Sequence, residues 1–148
     1  MKTGLFAGSF DPFTIGHVAI VRRALPLFDR LIIGIGVNET KQCMMTPMQR
    51  KEAIERIFEG DDRVSVMTYS GLTADFARTM GAEYIVKGVR SVRDFEAERE
   101  QADINRMLSG GETILLPAEP GLDCVSSSVV RELSHFGKDV SALLPGNE

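Results

Sequence analysis

The chain has 148 residues, 43% hydrophobic and 26% charged, with 17 basic against 21 acidic side chains for a net charge of −4. This is the size and make-up of one ordinary globular domain spanning 1–148, and the acidic balance argues against a general nucleic-acid binder. The two cysteines, Cys43 and Cys124, have no metal-type spacing and make no disulfide framework. The apolar run after Lys2 is too short for a signal-peptide core, and no stretch approaches the roughly 18 residues of a membrane span, so a cytoplasmic protein with no membrane partner is expected.

In chain order, a first strand over 3–7 leads into Gly8-Ser9-Phe10-Asp11-Pro12-Phe13-Thr14-Ile15-Gly16-His17. Gly8 and Gly16 are expected to let the backbone approach a ligand closely, and Pro12 to stiffen the turn between them. The following helix, about 17–27, carries Val18, Val21, Ala24, Leu25 and Phe28 near helical spacing. Its start offers unpaired N–H groups and partial positive charge, and His17, one of two histidines, sits there. A strand over 31–37 precedes Lys41. A helix over 47–58 is signalled by Thr46 as N-cap, Pro47 and Gln49. Strand 64–68, helix 73–80 closed by Gly81, strand 84–87, helix 92–108 and strand 112–116 follow. A last helix runs from Ser126–Ser128 to about His135, with a short turn near 140–144.

This alternation predicts a single Rossmann-like, doubly wound α/β domain, a five-stranded parallel sheet with helices on both faces. Ligands bind such sheets at the carboxyl ends of the strands, where strand order reverses. The Gly8–His17 turn, Lys41, Lys87-Gly88-Val89-Arg90 and the serine run all project from that edge. Three successive serines exceed what capping needs, so Ser126, Ser127 and Ser128 are expected to hold phosphate with hydroxyls and amides. Arg90 with Arg93 suggests a guanidinium pair for phosphoryl oxygens. Asp94 and Glu98, four apart, share a helix face. Met44 and Met45 suggest a mobile lip, and Tyr69 and Tyr84 lie outside the motif loops. His17 is expected at a solvated edge, where its replacement leaves folding nearly untouched.

Thr14-Ile15-Gly16-His17 after Gly8-Ser9-Phe10-Asp11-Pro12 resembles the (H/T)xGH signature of nucleotidyltransferases. Val125-Ser126-Ser127-Ser128 followed by Arg131 resembles their second signature. Lys87-Gly88-Val89-Arg90, Asp94-Phe95-Glu96-Ala97-Glu98 and Asn105-Arg106 are similar to the bacterial phosphopantetheine adenylyltransferases, over residues 2 to about 145. The resemblance implies transfer of the adenylyl group of ATP to 4′-phosphopantetheine, giving 3′-dephospho-CoA and pyrophosphate in coenzyme A biosynthesis. It implies that His17 stabilises the transition state and that Lys41 binds the acceptor phosphate. Arg90 joins them as a catalytic residue. By the same resemblance Ser9, Lys41, Thr73 and Lys87 are expected to contact phosphopantetheine. Ser9, Phe10, His17, Gly88, Val89, Arg90 and Glu98 are expected to contact ATP, with Leu122, Asp123, Cys124, Val125, Ser126, Ser127 and Ser128. It further implies Mg²⁺ arriving with ATP, coenzyme A as feedback inhibitor and a homohexamer. Lys87 stands where the family more often has arginine, and the loop from Ala118 to Val125 lacks an aromatic often seen there.

The reaction needs no protein nucleophile, because the acceptor is already an anion; positioning and charge neutralisation are the protein's work. Two alternatives share part of the pattern. One is another small nucleotidyltransferase, acting on glycerol phosphate or nicotinamide mononucleotide, from which Gly88–Glu98 and the serine run discriminate. The other is a nucleotide-binding sensor without turnover, which the joint presence of His17 and Lys41 disfavours.

Overall fold

The computed structural model describes residues 1–40 and 42–146. In order these form β1 (Thr3–Gly8), α1 (Ile15–Ala24) with a 3₁₀ turn (Leu25–Leu27), β2 (Arg30–Gly36), α2 (Pro47–Ile57) and β3 (Val64–Tyr69). There follow α3 (Thr73–Thr79), β4 (Tyr84–Val89), α4 (Val92–Ser109), β5 (Glu112–Pro117), α5 (Ser127–His135) and a 3₁₀ turn (Ser141–Leu143). Among the described residues the five strands make one parallel sheet in the order β3-β2-β1-β4-β5.

Strand alternation sorts the core into two layers. Phe6, Leu31, Ile33, Ile35 and Val86 turn to one face, against Val18, Val21 and Ala24 of α1 and Ile54 of α2. Leu5, Ile32 and Ile85 turn to the other, against Ala77 of α3 and Ala82. Moving outward from β1 to β3 puts α1 and α2 on the first face. The return across β1 to β4 puts α3 on the second, with α4 packed beside it. The sheet is therefore doubly wound, and its strand order reverses between β1 and β4.

Caps fix the helix starts. Thr46 and Gln49 exchange the two bonds of a capping box, as their spacing predicts. Thr14 and His17 do the same for α1, which therefore begins two residues before the expected start at 17. Its final turn tightens to 3₁₀ around Pro26, which has no N–H for an α-helical bond. Gly110, at φ 76°, ends α4 in the left-handed conformation.

Candidate active site

β1 and β4 pair only from Gly4–Tyr84 to Phe6–Val86, so their last residues part and open a crevice at the carboxyl edge. A cavity of about 360 Å³ lies there. It brings together the turn after β1 (Ser9, Phe10, His17), the end of β4 (Lys87, Gly88, Arg90) and the start of α5 (Ser126–Ser128). Glu98, Leu122 and Val125 also line it, as does Arg131, whereas Val89, Asp123 and Cys124 do not. Arg93 lies exposed outside it, so the expected guanidinium pair is not formed; Arg131 from α5 is the second guanidinium of this cavity.

The turn is built from aromatic packing. Phe10 takes a left-handed backbone, φ 50°, at a cost on the order of 1–2 kcal/mol. That cost is offset by its ring, 3% exposed, which meets Phe6 at 5.1 Å, Phe13 at 5.0 Å and His17 at 5.0 Å. A Cβ on Gly8 would stand 2.9 Å from that ring. The Phe10 ring thus requires glycine at position 8, which lines both cavities of this edge. Gly16 is likewise confined from within, by Thr14 Oγ1 and the Val125 carbonyl at 3.4 Å. The Asp11–Pro12 bond is cis.

His17 is only partly open to the cavity and has a structural task as well. Its Nδ1 accepts the Thr14 N–H at 2.9 Å, while Thr14 Oγ1 accepts the His17 N–H at 3.4 Å. Burial first, and then the positive charge of Arg90, push the imidazole from the ordinary 6.5 down to about 4. The ring is thus neutral at pH 7 with Nδ1 used as an acceptor, so its proton sits on Nε2. His17 is a fixed neutral donor that also holds the start of α1. This corrects the expectation of a solvated histidine whose loss leaves folding untouched.

Ser126 Oγ caps the Val129 N–H, Ser127 Oγ donates to the Pro12 carbonyl at 2.7 Å, and Ser128 Oγ accepts from Arg131 Nη2 at 3.1 Å. Ser127 thus commits its hydroxyl proton within the protein, while Ser126 and Ser128, as acceptors, keep theirs. All three line the cavity, where α5 also offers first-turn amides and the helix dipole to an anion.

The cations at the end of β4 and just beyond it are matched by carboxylates on α4. Arg90 Nε meets Asp94 Oδ2 at 2.9 Å, and Lys87 Nζ lies 3.7 Å from Glu98 Oε2. The helical spacing of Asp94 and Glu98 puts one carboxylate beside each cation. A polyanion entering the cavity must share or displace these partners.

A second cavity, about 290 Å³, opens between the ends of β1, β2 and β3. Ser9 and Lys87 line both cavities and so stand in the wall between them. Thr73 lines the second, and so does Tyr69, whose hydroxyl lies 2.8 Å from Thr73 Oγ1 and whose ring stacks on Phe76 at 4.4 Å. Tyr69 ends β3, and the strand-end rule that located the other residues could have found it. Lys41 lies outside the described residues. The loop after it is tied down, since the Asp11 carboxylate accepts the Met44 and Met45 N–H groups at 2.8 Å each. That bond fixes the backbone of the expected lip. Asp11, 4% exposed, was a motif residue without an assigned task.

The cytidylyltransferase-like family model matches residues 5–133. A phosphopantetheine adenylyltransferase of Phocaeicola vulgatus is 53% identical over 145 residues, covering 98% of this chain and 96% of that protein. One from Porphyromonas gingivalis is 52% identical over 141 residues, 95% of this chain and 92% of the other. The fold is shared with a bifunctional NMN adenylyltransferase/ADP ribose pyrophosphatase from Francisella tularensis, at TM-score 0.78 and 17% identity over 99% of this chain and 46% of that one. Two signatures meeting in one crevice, and close kinship over nearly the whole length, place the chain in the cytidylyltransferase-like family, among its phosphopantetheine adenylyltransferases.

Proposed function

We propose that the protein transfers the adenylyl group of ATP to 4′-phosphopantetheine, releasing pyrophosphate and forming 3′-dephospho-CoA. The observation that carries this is the crevice between β1 and β4, where the turn with Ser9 and His17, the β4 cations and the start of α5 line one cavity, with a second cavity across a wall of Ser9 and Lys87. The larger cavity suits ATP and the second suits the pantetheine arm, beside Thr73 and Tyr69. The whole chain, 1–148, acts as one domain in this reading.

The acceptor phosphate attacks the α-phosphorus in line as the bond to pyrophosphate breaks. The α5 amides, Arg90 and Arg131 take the β- and γ-phosphate oxygens. His17, through Nε2–H, donates to the α-phosphoryl oxygen on which charge develops. A neutral donor suits this task, because it stabilises charge without transferring its proton. Lys41 and Lys87 neutralise the acceptor phosphate, and Lys87, as a single ammonium, gives a point charge in place of a guanidinium fork. Ser9 and Phe10 contribute backbone from the turn, Gly88 leaves room beside Ile20, and Glu98, Leu122 and Val125 line the nucleotide.

Mg²⁺ fits this site as a companion of ATP. The carboxylates among the described lining residues, Asp94 and Glu98, are paired with cations, and no cluster of three metal-ligating side chains occurs among the described residues. Held on phosphate oxygens, it would supply further charge neutralisation. A cytoplasmic location belongs to this reading, since ATP and a coenzyme A precursor are its substrates; among the described residues no helix is long and apolar enough to cross a membrane. Val92, Phe95, Ile104 and Met107 of α4 are exposed, which supports self-association, and a homohexamer is the assembly proposed. Coenzyme A, which contains both the pantetheine arm and the adenylyl group, would occupy both cavities as an inhibitor. Mass detection of 3′-dephospho-CoA after incubation with ATP, Mg²⁺ and 4′-phosphopantetheine tests the reading; its absence would contradict it.

A further inference from the structure

Arg50 projects from α2 into the interior and is 2% exposed. Its Nη1 donates to the Ser9 carbonyl at 2.7 Å and its Nη2 approaches Cys43 Sγ at 3.9 Å. Its Nε is buried without a partner, and no carboxylate pairs with it among the described residues. Arg50 lines neither cavity of the crevice. A guanidinium stripped of water, with no counter-charge and one donor unused, is a poor way to stabilise a fold; a well-packed apolar side chain of similar volume would serve at least as well. Its presence there calls for another reason, and the atom it grips supplies one.

Ser9 begins the turn that faces both cavities. An anion is welcomed by backbone N–H groups and repelled by carbonyl oxygens, so such a turn works only if its carbonyls are held elsewhere. Three carbonyls here are held in that way. Arg50 takes Ser9 O, Arg131 Nη1 takes Asp11 O at 2.8 Å, and Ser127 Oγ takes Pro12 O at 2.7 Å. The last two donors come from α5 at the cavity, while Arg50 acts from behind, out of reach of any occupant. We propose that Arg50 is a positioning residue, which fixes the Ser9 carbonyl away from the crevice so that the turn presents its amide side to phosphate. The proposal rests on the reading of this crevice as the phosphate site.

The test uses the full chain with R50Q and R50K. Lysine keeps the charge and one donor, and glutamine keeps a donor without the charge. Melting temperature and folded fraction are measured first, then kcat and KM per folded molecule, then binding of inorganic pyrophosphate by calorimetry. Misplacing a reacting group by about an ångström costs roughly 10²-fold in rate. R50Q is therefore expected to lose about that factor in kcat and to bind pyrophosphate several-fold more weakly, with R50K between it and the unaltered protein. A folded R50Q with unchanged kcat and pyrophosphate affinity would overturn the proposal, leaving Arg50 a packing residue. If R50Q does not fold, R50K decides, and unchanged kcat and pyrophosphate affinity there would overturn it equally. An unaltered protein that binds pyrophosphate but makes no 3′-dephospho-CoA would instead overturn the reading of the activity, while the pyrophosphate titrations would still judge Arg50.

Discussion

His17 stands at the meeting of fold and chemistry. Its imidazole caps α1 through Nδ1, packs against Phe6, Phe10 and Phe13, and leaves Nε2–H as the one donor it can offer a ligand. H17A is expected to cut kcat by roughly 10²–10³, the scale for losing one donor to a developing charge. It should also destabilise the protein by about 1 kcal/mol or more through the lost cap. Steady-state kinetics and thermal melting of the one variant check both effects. The pH dependence follows from the same residue. The folded ring titrates at about 4 and the free one at 6.5, so between these values the unfolded chain binds a proton that the folded chain refuses. Stability from this group is complete above pH 6.5 and is lost as pH falls from there to 4. The loss is at most roughly 3 kcal/mol, and smaller because the ring is partly open to solvent. Imidazole nitrogen shifts followed by NMR should show His17 neutral down to about pH 5; a midpoint near 6.5 would contradict the burial argument.

At the scale of elements, the parts with a local cause could be read from the chain. Thr46, Pro47 and Gln49 announced α2 because a capping box needs only residues three apart. T46A should lower stability by about 1 kcal/mol, seen as a fall of several degrees in melting temperature, with kcat unchanged. The parts that depend on distant neighbours could not be read. The hydrogen bond from the Ser127 hydroxyl is one of these, because its acceptor, the Pro12 carbonyl, lies 115 positions away in sequence. Arg50 did leave a trace, as a charged residue four before Ile54 on the apolar face of α2. Nothing local said what it would grip. The pairing of Arg90 with Asp94 sets a further expectation. Removing Arg90 should weaken ATP binding more than phosphopantetheine binding, and K41A should show the opposite bias, with lost turnover. Separate calorimetric titrations of the two ligands would reveal this; equal losses in both variants would contradict the division of labour.

At the scale of the whole molecule, the position of the crevice follows from strand order. The parallel sheet was legible because strands and helices alternate along the chain, whereas the order of its strands, set by contacts between distant segments, was not. Chain reversal between β1 and β4 puts residues as far apart as Ser9 and Ser128 on one edge. In the proposed reading the second cavity gives that edge its chemical selectivity. Lys87 at the wall suits one terminal phosphate, and Thr73 with Tyr69 beyond it suits an amide-bearing, weakly polar arm. Tyr69 is stacked on Phe76 and hydrogen-bonded to Thr73, so its ring is held in place beside that cavity. The most direct measurement is pyrophosphate release with ATP and each acceptor in turn: 4′-phosphopantetheine, nicotinamide mononucleotide and glycerol phosphate, then with CTP replacing ATP. The expected result is a kcat/KM for ATP with 4′-phosphopantetheine that exceeds every other combination by orders of magnitude. Comparable efficiency with nicotinamide mononucleotide, or a preference for CTP, would contradict it.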